Sequence, residues 1–122
     1  MSTAVLGPAF RAIQQALKTA ADAVRREVDK LIRKISKRLR GNRKTQFDND
    51  TSKDRKTRGR LRGATRTLGK IVGDIEDAGE MVSKELTDLE ALLWALIDML
   101  RALESLEDAE KHFDEMAKAY GG

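Results

Sequence analysis

Cysteine is absent from this 122-residue chain, and proline and histidine occur once each, as Pro8 and His112. Without cysteine there is no disulfide framework, no thiolate zinc site and no thiol nucleophile. The compartment stays open on this ground, because cytosolic and secreted proteins can both do without cysteine. Aromatic residues are also few, with three Phe, one Tyr and one Trp. That is too few for a base-stacking surface or a compact β-domain. No apolar run reaches the roughly 20 residues that span a bilayer. The most apolar window, Ala91 to Leu103, contains Asp98 and Arg101. The first residues lack a basic segment followed by an apolar stretch, so no secretory signal peptide is expected. A cytoplasmic or virion-associated location is favoured, with leaderless secretion as the alternative.

Charge is plentiful and unevenly distributed. The formal net charge is +4. Residues 1–70 carry 20 Lys/Arg and 6 Asp/Glu, a net of +14, and residues 71–122 carry 4 and 14, a net of −10. Such asymmetry indicates an interaction arm, or two halves that attract each other.

The apolar residues recur at helical spacing. Phe10, Ile13, Leu17, Ala20, Val24, Val28, Leu31, Ile35 and Leu39 are three or four apart, which predicts an amphipathic helix over 8–40, opened by Pro8 and stopped at Gly41-Asn42. Residues 1–7 are read as a tail. Residues 41–57 show no periodicity around the lone Phe47, and their polar, basic composition predicts a flexible loop. From Leu68 through Val72, Ile75, Gly79, Val82, Leu86, Leu89, Leu93, Leu96 and Leu100 to Leu103, steps of four and three alternate without fault. That heptad pattern predicts a long helical element over 58–120, continuous or gently kinked. A break near 79–87 is the alternative, since Gly79 interrupts it and Thr87-Asp-Leu-Glu90 fits a capping box. The expected fold is all-α and a single domain, an antiparallel hairpin or three-helix bundle with a disordered basic loop. Trp94 and Ile97 lie off the centre of the apolar face, so self-association is expected. Its interface is assigned to Leu89, Leu92, Leu93, Trp94, Leu96, Met99, Leu100 and Leu103.

Few residues invite chemistry. His112 stands on a polar helical stretch with no partner in the pattern, and the helical Glu-x-x-His metal motif is missing. Asp48-Asn49-Asp50-Thr51-Ser52 opens like a calcium loop, but Lys53 and Gly59 occupy the places that need Gly and Glu. Gly69-Lys-Ile-Val-Gly73 is not followed by Lys-Ser/Thr, as a phosphate loop would be. No enzyme activity, cofactor or metal is expected.

The basic stretch from Val24 to Arg62 is the functional lead, with 16 Lys/Arg against 5 Asp/Glu. Arg33, Lys34, Lys37, Arg38, Arg40, Arg43, Lys44, Lys53, Arg55, Lys56, Arg58, Arg60 and Arg62 are the candidate polyanion-binding residues. Flexible cations neutralise phosphates and release counterions without reading bases. The expected function is a non-enzymatic assembly or scaffold protein, a homo-oligomer that binds a polyanion, in the first place nucleic acid. One alternative is a protein–protein module, a secreted helical hairpin or adaptor, whose basic and acidic halves pair. Another is a membrane-surface helix over Val24–Arg40, where an apolar stripe is flanked by cations.

Overall fold

The computed structural model describes residues 6–53 and 56–121. They form four helices and no strand: α1 Leu6–Arg38, α2 Gly41–Lys53, α3 Thr57–Ala78 and α4 Ser83–Ala119. The all-α class is as expected. Four helices replace the expected two or three, for two local reasons.

The first is α2, which corrects the expected flexible loop at 41–57. Gly41 adopts φ +60°, a left-handed conformation that glycine tolerates best, and the chain turns there between α1 and α2. Thr, Asn, Asp and Ser are weak helix formers, so α2 depends on tertiary anchors. Phe47 is 0% exposed and Thr51 is buried one turn later. The Ser36 hydroxyl donates to Asp48 Oδ1 at 2.6 Å, and the Thr67 hydroxyl donates to Asp50. α2 packs along α3.

The second is the break in the long element. α3 ends at Ala78, and Gly79 follows with φ +63°. Its N–H donates to Glu76 O at 3.2 Å, while the Glu80 N–H donates to Ile75 O at 3.3 Å. This pair of bonds is a Schellman cap, which satisfies carbonyls that a helix end leaves open. The heptad series therefore belongs to two helices, and Val82 stands in the turn, 65% exposed. The capping box at Thr87 is not used. α4 already runs from Ser83, and Thr87 Oγ1 donates back to Ser83 O at 2.9 Å.

The molecule divides into two compact units, and α1 and α4 supply residues to both. The first comprises residues 1–25 and 101–122, described over 6–25 and 101–121. Here α1 and α4 run antiparallel. Phe10 meets Tyr120 and Phe113 at ring-centroid distances of 5.6 and 6.0 Å, and Arg25 bonds Glu107 further along at 3.2 Å. Ala21, Ala117 and Leu103 fill its interior.

The second unit comprises residues 26–100. Its core draws on all four helices. Val28, Ile35 and Leu39 come from α1 and the residue after it, Phe47 from α2, Leu61, Leu68, Ile71 and Ile75 from α3, and Leu89 and Leu96 from α4. The heptad spacing explains the last pair. Residues seven apart return to nearly the same helical face, so Leu89 and Leu96 are buried while Leu86 and Leu93 beside them are half-buried.

Candidate polyanion-binding surface

Every described cation of the assigned set belongs to the second unit. Arg55 lies outside the described residues. The others fall into three groups by exposure and by what their side chains touch. Arg43 forms a two-pronged pair with Glu80, one arm at 3.1 Å, and Arg38 meets Asp88 at 3.7 Å. Lys44 bonds Asp48 at 2.8 Å and Arg60 bonds Asp29. These four are therefore part of the fold's own electrostatics. Arg33, Lys34, Lys37, Arg40 and Lys53 are exposed, and among the described residues no carboxylate pairs with them. Arg58 is half-buried, and Lys56 and Arg62 are exposed.

The cations border two concavities. A cleft of about 510 Å³ lies between the end of α1, the start of α2 and the α3–α4 turn. Lys37, Arg38, Arg40 and Arg43 line it, with Glu80 and Glu85 opposite and Leu39, Ile75, Met81 and Leu89 beneath. A groove of about 430 Å³ runs between α2 and α3, lined by Asp50, Lys53, Gly59, Arg62, Gly63, Arg66 and Thr67. Arg66 belongs to this surface although it falls beyond the segment singled out in the sequence. Its four-residue spacing from Arg62 was the signal that could have found it.

Asp48 and Asp114 carry shifted carboxyls. Asp48 is held below its ordinary value, first by the Lys44 hydrogen bond and then by Ser36, against a small opposing effect of burial. Asp114 in the first unit is lowered by Arg11 and then by Lys118. Both shifts come from structural ion pairs rather than from a reaction centre.

Asp48-Asn49-Asp50-Thr51-Ser52 lies inside α2, with its carboxylates bonded to Lys44, Ser36 and Thr67. No group of three or more His, Asp or Glu that could hold a metal occurs among the described residues. His112 is exposed, its ring edge against Phe113 at 5.4 Å. The stripe of the membrane-surface reading lies largely inside the fold, since Val28, Ile35 and Leu39 are buried. No helix among the described residues is long and apolar enough to cross a membrane.

Of the assigned oligomer interface, Leu89, Leu96 and Leu103 are buried within the single chain and offer no surface. Leu92, Leu93, Met99 and Leu100 are half-buried. Trp94 remains 60% exposed, which excludes it from the core of the single chain. Comparison with protein-family models, with curated proteins and with solved structures finds no match for this chain.

Proposed function

We propose that this chain is a non-enzymatic helical protein that binds a polyanion, in the first place nucleic acid, through the basic surface of its second unit. The observation that carries this reading is a set of exposed cations that have no carboxylate partner among the described residues: Arg33, Lys34, Lys37, Arg40 and Lys53. The acidic segment after Lys70 offers carboxylates within the same unit, yet Glu80 and Asp88 are taken by Arg43 and Arg38. A solvated lysine or arginine close to others of its sign gains from a phosphate that replaces condensed counterions. The test is a salt series of binding to a labelled DNA duplex. Engaging these five cations gives a slope of about −4.5 in log affinity against log salt. A flat dependence would remove the reading.

A second reading concerns assembly, and Trp94 favours it. A large aromatic that is 60% exposed on a leucine-rich helix is a typical anchor of a protein interface. A second copy of the chain is the partner it supports. Light scattering after size exclusion should show an oligomer that Trp94→Ala weakens, with little change in the stability of the fold. A monomer at all concentrations counts against it.

A further inference from the structure

Arg66 and Lys70 extend a feature that begins in the basic segment. Arg58, Arg62, Arg66 and Lys70 follow one another along α3 at four-residue intervals. Residues so spaced form one ridge on a helix, slightly inclined to its axis. Successive members rise about 6 Å, so the four extend over about 18 Å. The opposite side of α3 carries Leu61, Ala64, Leu68, Ile71 and Ile75, all buried. From Arg62 to Lys70 the ridge therefore points away from the core, with all three residues exposed, while Arg58 at its start is half-buried.

Beside the ridge runs a parallel row with very little side chain, Gly59, Gly63 and Thr67. The second wall is α2, with Lys53 and Asp50, and the space between is the 430 Å³ groove. Among the described residues, Asp50 is the one acid lining that groove, and its carboxylate already accepts the Thr67 hydroxyl. α2 lies close over the glycine row, since a Cβ on Gly63 would sit 3.5 Å from the Asp50 carbonyl oxygen. The next residue in the ridge after Lys70 is Asp74, so the cationic stretch has a defined end.

We propose that this ridge and groove seat the sugar–phosphate backbone of a nucleic acid duplex. The proposal rests on the polyanion reading, adds this surface to the cations that carry it, and names the occupant. An evenly spaced row of cations matches a chain of phosphates better than an isolated anion. No aromatic side chain lines the groove, whereas single-strand binding relies on bases stacking on aromatics. The bases therefore stay paired and the contact is to the backbone, which positions the duplex without reading its sequence. Nor does the groove present the apolar face that a helix lying on a lipid surface needs beside its cations.

The test is fluorescence anisotropy of a short labelled duplex over a salt series, with circular dichroism to check that each variant folds. The variants are Arg66→Ala/Lys70→Ala and, as a control of equal charge loss in the first unit, Lys18→Ala/Lys111→Ala. The ridge variant should bind more weakly at every sequence tested, and its slope of log affinity against log salt should fall by about 2. The control should keep the wild-type slope. Equal effects in the two variants mean that only net charge matters, and they overturn the ridge while the polyanion reading stands. So does a ridge variant that binds as the wild type does. If the wild type does not bind the duplex even at low salt, both fail. Tighter binding to oligothymidylate or to phosphatidylserine vesicles than to the duplex overturns the choice of occupant.

Discussion

Phe47 shows how much one side chain can decide. It is the only large apolar residue of α2, and it is fully buried. Phe47→Ala removes the main apolar anchor of that helix. The expected cost is about 3–5 kcal/mol, read as a lowered urea midpoint. A variant as stable as the wild type would mean that α2 is held by its hydrogen bonds alone. The carboxyls act on a smaller scale and with a definite pH dependence. Asp48 and Asp114 have pKa values lowered below 3.8 in the fold. A group with a depressed folded pKa stabilises the fold fully above its unfolded value, and that stability is lost as pH falls through the folded value. Melting temperature should therefore drop as pH is lowered from about 4. The double variant Asp48→Asn/Asp114→Asn should lose less over the same interval, and an unchanged acid sensitivity would show that other carboxyls govern it.

At the scale of elements, the helix break at Gly79 invites a direct substitution. Only glycine adopts its φ of +63° without a steric cost from Cβ. Gly79→Ala should destabilise the protein by about 1–2 kcal/mol, measured by chemical denaturation. If α3 and α4 instead preferred to fuse, the alanine variant would gain helix and stability. The same turn shows what was legible in the sequence. The 3-4 alternation gave the faces of α3 and α4 correctly, because Leu68, Val72, Ile75, Leu89, Leu96 and Leu103 are all buried. It could not show the break, since a chain that folds back on itself can keep the phase of its apolar residues across a turn. Gly79 held the local information, but a heptad count ignores backbone conformation. α2 was illegible for a different reason. Its own residues favour a loop, and the energy that makes it helical comes from α3 and from Ser36, which no local pattern records. The clue was Arg43, Phe47 and Thr51, at helical spacing. Of the candidate surface, residue type was legible and pairing was not. Nothing in the order of residues separates Arg43, held by Glu80, from Arg40 close by, which has no such partner.

For the molecule as a whole, the opposed charges of the two sequence halves meet only in part. Arg11–Asp114 and Arg25–Glu107 join them in the first unit, Arg38–Asp88 and Arg43–Glu80 in the second. These pairs are at least partly exposed, so each contributes about 0–1 kcal/mol, and the fold should tolerate high salt even where binding does not. Thermal melts at low and high salt should agree closely, while the proposed duplex binding should weaken steeply. A large loss of stability in salt would mean that the ion pairs, and not the apolar core, hold the fold. Trp94 has one more consequence. It is the chain's sole indole, and it already faces water in the folded protein. Its emission should lie near that of the unfolded chain and change little on denaturation, which makes it a poor reporter of folding. The same position makes it a good reporter of association. A blue shift or loss of iodide quenching can then arise only when something outside the chain covers this ring, so an unlabelled sample carries its own detector for any association at this face of α4.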